Sequence, residues 1–144
     1  MLPAVVGFYG KTDIGKTSLI VRLVKRLTDE GYNIATVKNT DKNIGMDTRG
    51  KDTWHHSEAG ATVVVLSSPV ETDFIIKNKK TEKEIIDQIT LMGQYDFILV
   101  EGARDPAIQK IRLGNIEKRE NTIAQYHENF EEIVNLIKDM IKGD

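Results

Sequence analysis

The sequence predicts an α/β fold in which a mostly parallel sheet is covered by helices on both faces. Short apolar runs typical of buried strands alternate along the chain with segments whose apolar residues recur at helical spacing. This alternation is typical of strand–helix–strand units, which build parallel sheets. The chain has 144 residues, close to the usual size of one domain, about 100–150 residues. We therefore expect a single domain over residues 1–144.

The first third of the chain is predicted to form a strand, a helix, a second strand and a loop. Ala4–Phe8 is an apolar run bounded by proline and glycine, which predicts a buried strand. Lys16–Glu30 has an apolar stripe at helical spacing and is followed by glycine, the pattern of an amphipathic helix with its stop signal. Asn33–Lys38 predicts a second strand of the buried type. Asn39–Lys51 has two apolar side chains and two glycines, which predicts a long exposed loop.

A short helix and two strands are predicted in the middle of the chain. Asp52 is expected to cap a helix that continues through Glu58. Val63–Leu66 and Thr72–Lys77 are rich in residues that favour strands, and they predict a β-hairpin or an addition at a sheet edge. Asn78–Lys80 is predicted to be a polar hairpin turn.

Two helices and two strands are predicted in the last third. Thr81-x-x-Glu84 fits the capping box that opens a helix. Phe97–Val100 predicts a buried strand, and the weak alternation of Ile108–Leu113 predicts an edge strand. No structure is predicted for residues 114–125. The final helix follows from apolar residues at helical spacing, namely Phe130, Ile133, Val134, Ile137 and Ile141.

Composition excludes several classes of function. The chain has no cysteine, which excludes disulfides, thiolate metal sites and a thiol nucleophile. Its 20 Lys and Arg residues are balanced by 22 Asp and Glu residues, which argues against general nucleic-acid binding. No apolar run approaches the roughly 20 residues of a membrane span, and the N-terminus lacks the features of a signal peptide. We therefore expect a soluble cytoplasmic protein that binds neither nucleic acid nor membrane.

The strongest motif, G-x-x-x-x-G-K-T, lies between the first strand and the first helix, where a phosphate-binding loop is found. Gly10 and Gly15 permit the tight backbone turn that brings N–H groups close to a phosphate. Lys16 would reach the β- and γ-phosphates, and the Thr17 hydroxyl would bind Mg²⁺. The predicted nucleotide-binding residues are Gly10, Lys11, Thr12, Asp13, Ile14, Gly15, Lys16, Thr17 and Ser18.

Two residues of this loop are unusual. Lys11 makes the motif similar to that of MinD-like ATPases, in which an additional lysine reaches the partner's nucleotide across a dimer. A solvated surface lysine is the alternative interpretation. Asp13 places a carboxylate beside the phosphate site, where it is tolerable only if it points away or caps the turn.

The strand ending at Val100 is followed by an acidic residue, Glu101. At the end of a buried strand in a phosphate-binding domain, such a carboxylate is expected to hold Mg²⁺ directly or through water. A cap for the turn at Gly102 is the alternative role.

A segment rich in polar and charged groups, Asp47–Ala61, follows the second strand. Because loops at the carboxyl ends of parallel strands gather around the ligand, we expect Asp47 to reach the Mg²⁺ water shell. Arg49 and Lys51 are expected to approach the γ-phosphate or a pterin phosphate. Trp54 is expected to be buried behind them. The adjacent His55 and His56 point about 100° apart on a helix and do not form a metal-binding pair; one is expected to contact the core.

The phosphate loop, the Asp47–Ala61 block and Val100-Glu101-Gly102, in this order, resemble the molybdopterin-guanine dinucleotide biosynthesis adaptor protein B family. The resemblance implies a P-loop NTPase-like fold and a homodimer that binds GTP with Mg²⁺ and hydrolyses it slowly at most. It also implies a partner, the guanylyltransferase that joins GMP to molybdopterin. Its motif positions fall on Gly10, Gly15, Lys16, Thr17, Asp47, Lys51, Asp52 and Glu101.

From these positions we predict catalytic roles for Lys16, Asp47 and Lys51, and Mg²⁺ contacts from Thr17, Glu101 and Asp47, partly through water. The sequence departs from the family where histidines often follow the second strand, since it has Asn39, Asp41 and Lys42 there. The usual guanine signature, [NT]-K-x-D, is missing, so GTP is implied by the resemblance alone.

Two other functions fit the phosphate loop. Metabolic and polynucleotide kinases have similar loops, although their arginine-rich lid has no counterpart among the six arginines of this chain. A MinD-like ATPase switch is suggested by Lys11.

Overall fold

The computed structural model describes residues 2–142 and confirms the predicted α/β fold. In chain order the elements are β1 (Ala4–Tyr9), α1 (Lys16–Asp29), β2 (Ile34–Lys38), α2 (Asp52–Glu58), β3 (Val63–Ser67), β4 (Thr72–Ile76), α3 (Glu82–Met92), β5 (Phe97–Glu101), β6 (Gln109–Leu113), β7 (Thr122–Tyr126) and α4 (Phe130–Lys142). They form two compact units, one made of the chain up to Thr40 and from Glu82 onward, the other of Asp41–Thr81. The single domain expected over residues 1–144 stays a prediction.

The first unit contains a five-stranded sheet in the order β2-β5-β1-β6-β7. Every pair of neighbours in it is parallel. Phe8 of β1 lies opposite Glu101 of β5 on one side and Ile111 of β6 on the other. Because the strands are parallel and in register, the segments that follow β1, β5 and β6 all leave the sheet at the same end, the carboxyl ends of the strands.

Helices cover both faces of this sheet. On one face, the buried side chains of α1 and α4 pack against β1, β5 and β6. On the other face, Ile86 and Ile89 of α3 pack against Ile98 and Val100. Successive residues of β5 therefore face different helices, and both sets are buried, which explains why this strand is a continuous apolar run.

Two strands occupy positions that differ from the prediction. Ile108–Leu113 was expected at an edge, but β6 lies between β1 and β7. The reason is β7, which falls within the segment for which no structure was predicted. Asn33–Lys38 was expected to be buried, yet β2 is an edge strand with half-buried and exposed residues.

The second unit contains α2 and the antiparallel pair β3–β4, which confirms the predicted hairpin. Its turn is formed by Ser68–Glu71, where the Ser68 N–H donates to the Glu71 carbonyl at 3.0 Å. The predicted hairpin turn at Asn78–Lys80 is wrong, because that segment follows β4 and leads to α3. Asp52 does not cap α2 but is its first residue, and Lys51 occupies the cap position.

The long exposed loop predicted over Asn39–Lys51 is confirmed, since this segment forms no helix or strand and is mostly exposed. None of the helices within residues 2–142 has the length and apolar character needed to cross a membrane.

Candidate functional site

The phosphate-binding motif forms the turn between β1 and α1, as its sequence predicts. Gly15 occupies the N-cap of α1 with φ at 110°, a left-handed conformation that favours glycine. No side chain caps this helix, and its first turn has no acidic residue. The N–H groups of the first turn therefore face no side-chain acceptor, and together with the helix dipole they favour an anion.

The other glycine of the motif lies against the neighbouring strand. A Cβ atom on Gly10 would stand 2.6 Å from the carbonyl oxygen of Leu113 and 2.8 Å from Cγ2 of Ile14. Only glycine fits this position without a shift of the backbone. Asp13 has φ at 64° and an exposed side chain, so the loop holds a non-glycine residue in the left-handed region as well.

Lys16 is folded over the loop to which it belongs. Its ammonium group donates to the carbonyl of Gly10 at 2.6 Å and to that of Lys11 at 3.1 Å. These two carbonyls hold the positive charge beside the N-terminus of α1, where a bound phosphate would meet it. The side chain of Lys11 itself is exposed.

Thr17 and Glu101 are 84 residues apart in sequence but adjacent in the structure. The Thr17 hydroxyl donates to Oε1 of Glu101 at 3.0 Å. Oε2 of Glu101 lies 3.6 Å from the Lys38 ammonium group, and the Glu101 side chain is only 13% exposed. The parallel pairing of β1 with β5 produces this contact, because it places the end of β5 beside the start of α1.

This pair suits a magnesium ion. Mg²⁺ prefers oxygen ligands and is commonly bound by one or two protein groups together with substrate phosphates. A hydroxyl and a carboxylate oxygen already converge here, beside the anion site. Among residues 2–142, no group of three or more His, Asp or Glu side chains forms an all-protein metal site. The donor set at Thr17 and Glu101 therefore fits Mg²⁺ brought in with a nucleotide.

Asp47, Lys51 and Asp52 belong to the second unit, at the start of α2. Oδ1 of Asp47 accepts hydrogen bonds from the Thr48 N–H and the Thr53 hydroxyl, both at 2.9 Å. Its other oxygen, Oδ2, is buried without a hydrogen-bond partner in the described part of the chain. The Oδ1 atom of Asp47 thus fixes the backbone that leads into α2. Its Oδ2 atom is a buried acceptor that could receive a hydrogen bond from another group. Lys51 and Asp52 have exposed side chains.

The aromatic residues of α2 are less buried than expected. Trp54 is half-buried, with the Arg49 guanidinium 5.7 Å from its ring centre. His55 and His56 are both exposed, so the expectation that one of them contacts the core is wrong. A helix of seven residues in a small unit has no buried residue at all.

Buried polar residues, which were not predicted, brace the segment after β6. Tyr9 is fully buried, and its hydroxyl lies 2.6 Å from that of Thr122 and accepts from the Arg119 N–H at 3.1 Å. Lys110 is fully buried and donates to the carbonyls of Asp105, Ile108 and Glu120 at 2.5, 2.7 and 2.9 Å. Burial lowers the pKa of Lys110. β6 also contains Gln109 and Arg112, so its sequence does not mark Lys110 as the buried polar residue.

The chain is similar to known proteins of one family along most of its length. The family model described as molybdopterin guanine dinucleotide synthesis protein B matches residues 5–139. A protein of Methanocaldococcus jannaschii is 30% identical over 114 residues, which cover 78% of this chain and 45% of the relative. The molybdopterin-guanine dinucleotide biosynthesis adapter protein of Haemophilus influenzae is 28% identical over 109 residues, covering 75% of this chain and 61% of the relative. This chain thus spans about half to three fifths of these relatives.

The fold agrees with these matches. The crystal structure of Bacillus subtilis MobB superimposes with a TM-score of 0.79 at 21% identity, over 98% of this chain and 99% of that one. A likeness at this level of identity shows the fold. Together with the family model, which spans nearly all of the sequence, it leads to one conclusion: the chain belongs to the molybdopterin guanine dinucleotide synthesis protein B family.

Proposed function

We propose that the chain binds Mg·GTP at the turn between β1 and α1 and hydrolyses it slowly. We further propose that it acts in the cytoplasm as an adaptor for the guanylyltransferase that joins GMP to molybdopterin. The observation that carries nucleotide binding is the uncapped N-terminus of α1, with the Lys16 ammonium group and the Thr17–Glu101 pair beside it. The adaptor role rests on family membership and on the name of the Haemophilus influenzae relative.

Each residue of the turn has a separate task in this proposal. The N–H groups of the first turn of α1 bind phosphate oxygens, and Lys16 neutralises charge on the β- and γ-phosphates. Thr17 and Glu101 hold Mg²⁺, which supplies charge neutralisation at the phosphate oxygens when it is bound. For Asp47 and Lys51, which belong to the second unit, we propose the catalytic roles that the family resemblance implies.

A titration with nucleotides tests the proposal. Mg·GTP and Mg·ATP are titrated separately, and single-turnover release of phosphate is then measured with and without the guanylyltransferase. Preferential GTP binding, slow release and co-purification of the two proteins support the adaptor. Rapid phosphoryl transfer to an added acceptor would instead indicate a kinase, and preferential ATP binding would indicate an ATPase switch.

The homodimer follows from the resemblance and gains support from the β3–β4 hairpin. On one face of the hairpin, Val63 pairs with Ile76 and Val65 with Phe74. All four of these apolar side chains are exposed. A contiguous apolar face of this kind typically marks an interaction surface, and we propose that a second copy of the chain covers it. The molar mass of the free protein, measured by light scattering, checks this.

Replacing Glu101 by glutamine is expected to weaken the Mg²⁺ dependence of GTP binding while leaving the fold intact. Glutamine keeps the size of the side chain and an oxygen for the Thr17 hydroxyl, but it removes the negative charge that attracts the cation. We expect the Mg²⁺ concentration for half-maximal GTP binding to rise about tenfold, the effect of roughly 1.4 kcal/mol. Superimposable Mg²⁺ titrations of variant and wild type would show that Glu101 only shapes the turn.

Binding of Mg·GTP is expected to change amide exchange in residues 41–60 and the fluorescence of Trp54. This segment is exposed and has little core to hold it, so bound phosphate can order it, as in switch loops. Lys51→Ala should slow hydrolysis about tenfold or more with little change in melting temperature. Lys77→Ala, another exposed lysine of the second unit, is the matched control. Identical exchange with and without saturating nucleotide would rule out a switch.

A further inference from the structure

The segment that leaves β6, residues 114–121, begins in contact with the phosphate-binding turn. The carbonyl oxygen of Leu113 lies so near Gly10 that no Cβ atom fits between them. The side chain of Ile14 lies 3.3 Å from the position a Cβ atom would take on Gly114. A nucleotide whose phosphates occupy the turn therefore has residues 114–121 as an immediate neighbour.

The topology favours ligand binding at the carboxyl ends of β1 and β6, where these two segments begin. From β1 the chain passes through α1 to β2, on one side of the sheet, whereas from β6 it passes to β7, on the other side. In open parallel sheets, ligands bind outside the carboxyl ends of the strands at the point where the connections leave in opposite directions. Here that point lies between β1 and β6, which favours a position over residues 114–121 for the nucleoside of a nucleotide bound at the turn.

Side chains brace the segment at several points. Nε and Nη2 of Arg112 donate to the carbonyl of Ile116 at 2.9 and 2.5 Å, and Nε2 of Gln125 donates to that of Gly114 at 2.7 Å. The carbonyl of Glu120 accepts from Lys110 at 2.9 Å.

Arg119, within the same segment, makes two further contacts. It donates from its N–H to Tyr9 and from its guanidinium group to the carbonyl of Ala103. A loop held this way presents its remaining side chains in a fixed arrangement, which favours binding by preorganisation.

Two of those side chains are exposed and suit one nucleobase. Asn115 and Glu117 lie on either side of the braced Ile116 carbonyl, and both are exposed. A carboxylate only accepts hydrogen bonds, and guanine offers it two adjacent donors, N1–H and the 2-amino group. Adenine presents an acceptor at N1, which a carboxylate repels. The amide group of Asn115 can donate to O6 of guanine.

We propose that residues 115–117 recognise the base of the bound nucleotide, and that Glu117 selects guanine over adenine. This inference rests on the proposed nucleotide site, since it names the residues that give that site its specificity. In this proposal Glu117 provides the carboxylate that the [NT]-K-x-D signature, which the chain lacks, would have provided from a different loop.

The test compares wild type with Glu117→Gln and Glu117→Ala, using Mg·GTP, Mg·ITP and Mg·ATP as ligands. ITP lacks the 2-amino group and keeps N1–H, so wild type should bind it with an affinity between those for GTP and ATP. Both substitutions should weaken GTP binding about tenfold or more, the loss expected for a hydrogen-bonded pair to a charged acceptor, while ATP binding should not weaken and should strengthen where the carboxylate had repelled N1 of adenine. Glu120→Gln, which changes another exposed carboxylate of the same segment, should leave all three affinities unaltered.

The outcomes separate this inference from the proposed function. If wild type binds none of the three triphosphates, the proposed nucleotide site itself fails. If wild type prefers GTP and the Glu117 variants keep the full preference, the site stands and base recognition by Glu117 is overturned. Equal affinity of wild type for GTP and ATP would also overturn it. Thermal unfolding of each variant, expected to match wild type because Glu117 is exposed, confirms that the fold is unchanged.

Discussion

Lys16→Ala is expected to weaken Mg·GTP binding by at least about 2 kcal/mol, roughly 30-fold or more. The ammonium group is the positive charge that two loop carbonyls hold beside the N-terminus of α1. Charge-assisted bonds to phosphate are among the stronger polar contacts in proteins, and alanine removes the donor entirely. Isothermal titration of the variant with Mg·GTP measures the loss.

The matched control is Lys25→Ala, which removes an exposed lysine from the same helix, away from the turn. It should change the net charge equally and leave GTP affinity within about twofold, since an exposed charge at that distance is strongly screened. Wild-type affinity in Lys16→Ala would overturn the assignment of the turn as a phosphate site.

Gly102→Ala is expected to destabilise the protein by about 2–4 kcal/mol. Gly102 has φ at 81°, and a Cβ atom there would stand 2.5 Å from the carbonyl oxygen of Asn39. Neither backbone can move freely, because the Gly102 N–H donates to Phe8 at 2.7 Å and the Asn39 N–H donates to Glu101 at 2.8 Å. The clash should also displace Glu101, so Mg²⁺-dependent binding should weaken together with stability.

Gly31→Ala separates the cost of the left-handed backbone conformation from the cost of the clash with the Asn39 carbonyl. Gly31 has a similar φ of 93°, but no atom lies within 4 Å of the position its Cβ would take. Chemical denaturation should therefore show a loss of about 1 kcal/mol for Gly31→Ala, the cost of the left-handed conformation alone. Equal losses in the two variants would mean that the Asn39 carbonyl moves aside without cost.

The sequence predicted those parts of the fold that short-range patterns determine. The turn between β1 and α1 follows from glycines and a lysine at fixed spacing, and β5 follows from a continuous apolar run that is buried on both faces. Thr17 and Glu101 were both predicted to bind Mg²⁺, which implied that they lie close together. Their hydrogen bond places the two groups together, while the binding of the metal stays a prediction.

Features that depend on distant pairing were not predictable in the same way. Whether β6 lies inside the sheet or at its edge depends on β7, and β7 has only half-buried residues and a weak apolar pattern. The buried position of Lys110 depends on carbonyls of the segments after β5 and β6. That of Tyr9 depends on the Arg119 N–H and the Thr122 hydroxyl. The courses of these segments have no sequence signature. The exposure of His55 and His56 reflects the small size of the second unit, a property of packing that helical spacing does not reveal.

The order of strands in the sheet has a consequence for how the chain folds as it leaves the ribosome. β1 is synthesised first, yet both of its neighbours begin only at Phe97 and Gln109, and β2 also pairs with β5. At translation rates of about 5–20 residues per second, β1 waits on the order of 10 s for its first partner. The hairpin β3–β4 joins adjacent strands and can pair as soon as it emerges. The hairpin of the second unit thus pairs first, and the five-stranded sheet of the first unit closes around β1 only after β5 has been released.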